Sequence, residues 1–139
     1  MNAGGERSNG EPVKGPDTPL LEHAALDRLR EWGGDALLGR MLSLFLELGP
    51  QRVETLIQAL SDGDLEVLER TAHSLKSSSG NVGAVRLSAQ AAELEAVART
   101  ARQGGSREGL TELVATIGRS WEETAEVLGR ALPPEADPE

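Results

Sequence analysis

From Leu21 to Leu128, apolar side chains recur at steps of three and four, the spacing that lines up one face of an α-helix. No stretch keeps the strict alternation of a half-buried strand. A first helix is predicted to start with Thr18 as N-cap and Pro19 at the first helical position, a favoured pairing. Its buried stripe is Leu21, Ala25, Leu29 and Trp32, and Gly33-Gly34 ends it. A second helix starts near Asp35 and buries Leu38, Met41, Leu42, Phe45 and Leu48. Gly49-Pro50 is expected to kink or interrupt it, because proline has no backbone N–H to donate. The stripe resumes at Val53, Leu56, Ile57 and Leu60.

The stretch SDGD ending at Asp64 reads as a turn, with Gly63 suited to a left-handed residue and Asp64 to capping the next helix. That helix runs to the neighbourhood of Gly80 on the stripe Leu65, Leu68, Ala72, Leu75 and Ser79. GNVGA then breaks it, and another helix covers Ala84 to Arg102 on Leu87, Ala91, Leu94 and Ala98. After the turn QGGS, a last helix capped by Ser106 carries Leu110, Val114, Ile117, Trp121 and Leu128. Four long amphipathic segments with short connections predict an all-α fold: an up-and-down antiparallel four-helix bundle with a short additional N-terminal helix.

Composition narrows this further. With one Phe, two Trp and no Tyr, the core must be built from aliphatic side chains, which suits helix-on-helix packing. The 139 residues suffice for one domain over 19–132, and the Gly-, Pro- and Glu-rich ends predict a disordered leader over 1–18 and a disordered tail over 133–139. Cysteine is absent, so there is no thiolate nucleophile and no Cys-based zinc site. No apolar run approaches the roughly 20 residues of a membrane span, and the first residues lack the apolar core of a signal peptide, so a cytoplasmic protein is expected. The net charge of −9, with both signs mixed along the helices, argues against nucleic acid or an anionic membrane as the main partner. Each stripe can be buried within one bundle, so a monomer is expected. The Gly-, Ala- and Arg-rich composition hints at a GC-rich bacterial genome.

Against this plain background, RTAHSLKSSSGNVGA (70–84) places one histidine in mid-helix. At about 100° per residue, His73 points roughly 130° from the centre of the buried stripe, towards solvent. Glu69, Arg70, Lys76, Ser77 and Gly80 share that outward sector. The small Ser77 and Gly80 leave an open apron beside the imidazole. A surface histidine is ordinarily solvated and silent, which is the reading for His23. No second His or Cys stands at metal-ligand spacing from His73, and no nucleophile, carboxylate and oxyanion pocket converge as a hydrolase requires.

The sequence AHSLKSSSGNVGA (72–84), followed by ELE at Glu93 to Glu95, resembles the histidine phosphotransfer (HPt) domain family of two-component phosphorelay proteins. That family shows Ala-His, one residue, Leu-Lys-Gly-Ser, then Leu-Gly and later Leu-Glu. The likeness runs from Leu20 through WGGD, LFLE and DGD to Leu132, some four-fifths of the chain. Ser77 stands where the family usually has Gly, and Val82 where it has Leu.

The resemblance implies that His73 accepts a phosphoryl group from an aspartyl phosphate of a receiver domain and passes it to an aspartate of a second receiver. Free imidazole titrates near ~6.5, so a neutral nucleophile is available at cytosolic pH. Nε2 is the expected attacking atom where an acceptor fixes the proton on the other ring nitrogen, and Glu95 is the candidate acceptor. Lys76, one turn from His73, would balance the phosphoryl charge; a unit pair at ~4 Å is worth about 1 kcal/mol in water and about 4 kcal/mol where a docked partner lowers the effective dielectric. Ser77, Gly80, Glu69 and Arg70 would face the receiver. The chain has no ATP-binding glycine box, no receiver-type acidic pocket and no sensor, so it is expected to be a phosphocarrier and not a kinase or other stand-alone enzyme. No cofactor is expected; Mg²⁺ would sit on the partner receiver. The expected partners are response-regulator receivers and a hybrid histidine kinase. The competing reading is a non-transferring adaptor that docks a receiver or kinase and inhibits it, and a third is a purely structural helical module.

Overall fold

The computed structural model describes residues 18–134, all helix and connecting turns with no strand among them. Of the expected leader over 1–18, residues 1–17 lie outside the described residues, as do residues 135–139 of the expected tail over 133–139; Thr18 itself is described and buried. Four elements follow in order: α1 (His23–Asp62), α2 (Leu65–Asn81), α3 (Val85–Arg102) and α4 (Leu110–Ala131). Each packs on two others, in the closed order α1–α2–α3–α4–α1, with the α2–α3 contact the most extensive. The core is aliphatic: Leu38, Leu42, Leu56, Leu68, Leu75, Leu87, Leu94, Ile117 and Leu128 are fully buried. Among the described residues no helix is long and apolar enough to cross a membrane.

Within α1, non-helical dihedrals at Gly33 and Gly34 separate residues 23–32 from residues 35–62. The expected break at Gly49-Pro50 is absent, and the helix continues through both residues. Gly49 has a packing role instead: it is buried under the indole of Trp121, which meets the Phe45 ring edge-on at a centroid distance of 5.1 Å. A second correction concerns Trp32, expected in the core but 71% exposed, while Leu26 fills the buried side of that turn with Ala25 and Leu29. Ile57 is exposed as well, and Ala59 takes the inward place beside Leu56.

The chain start also differs. Thr18 does not cap a helix; α1 begins at His23 after Glu22, which provides no side-chain cap. Backbone groups of the entering segment are taken by another part of the fold. Arg86 Nε donates to Thr18 O at 2.8 Å, and Glu22 N donates to Gly83 O at 2.7 Å, pinning the segment to the α2–α3 connection. Gly83 sits at φ +78°, and a Cβ there would lie 2.5 Å from Glu22 O, so both conformation and space call for glycine.

The sequence rules for α2 hold throughout. Gly63 closes α1 in the left-handed conformation, Asp64 Oδ1 accepts from Val67 N at 3.2 Å, and the buried side is Leu65, Leu68, Ala72, Leu75 and Ser79. At α4 the predicted cap shifts: Ser106 Oγ accepts from Glu108 N within the preceding turn, and the helix itself starts at Leu110 after Gly109. Its inward residues Leu110, Val114, Ile117, Trp121 and Leu128 are those the periodicity selects.

Candidate functional site: an exposed histidine on a buried carboxylate

Because Ala72 and Leu75 face the core, the α-helical turn between them carries His73 outward, and its side chain is 58% exposed. Cross-links on both sides fix α2 against α3. Towards the start of α2, Arg99 and Arg102 reach Glu69; towards its end, Ser88 Oγ donates to Lys76 O at 3.0 Å. Partners fall in number on α3 as they rise on α2, so the two helices are antiparallel. Arg52 Nη1 donates to Ser78 Oγ at 3.1 Å, tying α1 to the same stretch.

Glu95 comes from α3 next to the fully buried Leu94 and is only 9% exposed. Three groups converge on its carboxylate. His73 Nδ1 lies 2.9 Å from Oε2, Arg99 Nη2 lies 3.0 Å from the same oxygen, and Lys76 Nζ lies 2.9 Å from Oε1. Burial alone would raise the Glu95 carboxyl; the hydrogen bonds and charges of Lys76 and His73 outweigh it and hold the group below its ordinary 4.5. An ionised carboxylate only accepts, so His73 donates through Nδ1–H. In the neutral ring that leaves the lone pair on Nε2.

The arrangement continues along the surface. Arg99 Nε donates to Glu69 Oε2 at 2.8 Å, and Arg102 Nε to Glu69 Oε1 at 2.9 Å. The Arg99 hydrogen bond, reinforced by Arg102, holds Glu69 below its ordinary value against the opposing effect of burial, and the same contact raises Arg99. His73 thus stands in an open groove of about 400 Å³ lined by Glu66, Glu69, Arg70, Glu95, Arg99 and Arg102. Two larger grooves elsewhere, of about 620 and 610 Å³, contain no histidine. Volume is a poorer guide to chemistry here than the convergence of charges.

The structure brings together His73, Lys76 and Glu95. Arg70 is exposed and pairs with Glu66 at 3.6 Å, and Ser77 and Gly80 are exposed on the turns that follow. Glu69 is less available than its place on the helix wheel implies, being largely covered by the two arginines. Lys76 is bound to Glu95 in place of standing free beside the ring. Sequence reasoning missed Arg99 and Arg102. The i, i+4 spacing of Glu95 and Arg99 was the available signal for the first. Among the described residues no cluster of three or more His, Cys, Asp or Glu side chains is arranged to hold a metal ion.

Comparison with known proteins decides the family, because the Hpt domain matches residues 40–127, well over half of the chain. The chain belongs to the Hpt domain family. The matched span contains α2 and α3 whole, and with them every side chain of the histidine groove. The crystal structure of histidine-containing phosphotransfer protein B from Pseudomonas aeruginosa PAO1 is similar to this Hpt protein: 28% identical, with a TM-score of 0.76 over 85% of this chain and 98% of that one. No curated protein matches the chain.

Proposed function

We propose that this Hpt protein carries phosphoryl groups in a two-component phosphorelay, accepting one on His73 from the aspartyl phosphate of a receiver domain and passing it to a second receiver. The observation that carries this reading is the exposed imidazole whose Nδ1 is taken by a buried, ionised carboxylate. The lone pair of Nε2 forms the N–P bond as the acyl-phosphate P–O bond breaks, and that electron pair leaves on the partner's carboxylate. The Nδ1 proton stays in its bond to Glu95, so the positive charge that develops on the ring meets a fixed anion. Reversal of the same step at another receiver completes the relay.

Lys76 balances the phosphoryl charge, Glu95 orients the ring, and the exposed Ser77, Gly80 and Arg70 face the receiver, with the arginine-covered Glu69 at the edge of that surface. Mg²⁺ belongs to the receiver's half of the reaction. The protein acts as a cytoplasmic monomer with receivers and a hybrid kinase as partners. Its antiparallel α2–α3 pair and closed packing order support an up-and-down bundle in which residues 23–32 form the additional N-terminal helix.

The test is transfer from a receiver carrying radiolabelled aspartyl phosphate. Wild type should acquire an acid-labile, base-stable label, and His73→Gln should acquire none while keeping its helical circular dichroism. Absence of label with every receiver that binds would replace carrier by inhibitor, and absence of receiver binding would leave a structural module.

A further inference from the structure

Lys76 faces two claims on one charge. In the resting protein its ammonium is bound to Glu95 Oε1 at 2.9 Å. A phosphoryl group on His73 Nε2 would bring about two negative charges within one helical turn of it. Moving Lys76 to the phosphoryl group leaves Oε1 of a 9% exposed carboxylate without its partner, and a buried charge that is under-compensated is costly. The Nδ1–H of His73 stays on Oε2, and a cation that does not move with Lys76 would limit the cost. Arg99 is placed for this, since its Nη2 holds Glu95 Oε2, the oxygen that Lys76 does not use.

Arg99 is also held from its far side. Its Nε donates to Glu69, whose other oxygen is occupied by Arg102. A guanidinium spanning two carboxylates loses two charge-assisted bonds if it moves, whereas the Lys76 ammonium on its flexible stem loses one. We propose that Arg99, anchored by Glu69, is the fixed counter-ion of Glu95 that releases Lys76 to the phosphoryl group. This rests on His73 being the phosphoryl acceptor. Arg99 is then a positioning residue: it acts through Glu95 and Lys76 without touching the phosphoryl group itself.

The test is a double-mutant cycle over Arg99→Gln and Lys76→Gln in the full chain, with phosphoramidate as a small-molecule donor so that no receiver is involved. Transfer from it breaks the donor P–N bond, forms the P–N bond to Nε2 and releases ammonia. The readout is the titration of the phosphoryl group by ³¹P NMR between pH 5.5 and 9. A cation beside the group favours its dianion and lowers its titration midpoint, by about 0.7 pH unit for a contact at ~4 Å in water. Removing Lys76 should therefore raise the midpoint by about that amount. Arg99→Gln should raise it nearly as much, although Lys76 is intact, and the double variant should titrate no higher than Lys76→Gln alone. Glu69→Gln, which loosens the anchor, should shift it in the same direction by less. Arg99→Gln with a wild-type midpoint, or losses that add in the double variant, would overturn the proposal and make Arg99 an ordinary helix-surface ion pair. If all variants titrate as expected but no receiver exchanges phosphoryl with His73, the relay reading fails and the assignment of Arg99 stands.

Discussion

Replacing Gly49 by alanine sets a helix-propensity gain against a packing loss. Alanine is favoured over glycine by about 1 kcal/mol in a helix interior, so a sequence-based reading predicts a more stable protein. The packing predicts the reverse. A Cβ at Gly49 would lie 2.0 Å from Trp121 Cη2, 2.4 Å from Cζ3 and 2.5 Å from Cζ2, distances that no side-chain carbon tolerates. The indole is almost fully buried and must retreat, which costs about 1–3 kcal/mol as overpacking. Its edge-on contact with Phe45 would open as well, a further ~0.5–1.5 kcal/mol. Net destabilisation is therefore about 0.5–3.5 kcal/mol, with about 2 kcal/mol in the middle of the range. At an m-value of ~2 kcal/mol/M, a loss of about 2 kcal/mol lowers the urea midpoint by about 1 M. Trp32 is exposed, so a Trp32→Phe background leaves Trp121 as the sole indole, and its fluorescence follows the packed site directly. In a Trp121→Leu background the clash is relieved, and Gly49→Ala should turn neutral or stabilising. An unchanged or higher midpoint for Gly49→Ala with Trp121 present would refute the argument.

Gly83→Ala combines a left-handed φ with a Cβ 2.5 Å from Glu22 O, so it should cost at least ~2 kcal/mol by chemical denaturation and raise amide exchange at Glu22, whose N–H is bonded to Gly83 O. A smaller loss with unchanged protection at Glu22 would mean that the loop yields without strain. For Glu95, the folded carboxyl titrates below its ordinary 4.5. Its contribution to stability is thus fully present above that value and is lost as the pH falls through the folded pKa. The urea midpoint of wild type should exceed that of Glu95→Gln at pH 5, and the gap should shrink as the pH falls further; a gap that widens below pH 5 would reverse the sign assigned here.

Much of this architecture is legible in the chain because its rules are local. Periodicity alone selects the inward side of α2 and of α4, and Asp64 caps as its residue type predicts. His73 faces outward because Ala72 and Leu75 face inward, which is arithmetic on one helix. Several of the failures are cases where a distant residue decides. Gly49 reads as a helix breaker until Trp121, on another element, claims its space. Thr18 reads as a cap until Arg86 takes its carbonyl. Trp32 satisfies the helical step, but that turn lies beside the Gly33-Gly34 discontinuity and meets no facing helix with its indole. Glu69 is 30 residues from Arg99, so no spacing rule joins them, whereas Glu95 and Arg99 are one turn apart and could have been paired.

The division of burial within the site explains why its chemistry cannot be separated from its packing. His73 is exposed and Glu95 is buried, so the ring is open to solvent while the carboxylate that accepts from it stays out of water. The two residues sit on different helices, and their 2.9 Å contact depends on the register between α2 and α3. Sliding α3 by one residue would move Glu95 about 1.5 Å along the axis and turn it by about 100°, enough to abolish the bond. Register is therefore part of the chemistry. It is held from beneath by Leu68, Leu75, Leu87 and Leu94 and from both sides of the histidine by the Arg99–Glu69 and Ser88–Lys76 bonds. On the proposed function, a core substitution that shifted α3 by a fraction of this distance would weaken transfer without touching any residue of the groove, and the loss would resemble that of a Glu95 variant.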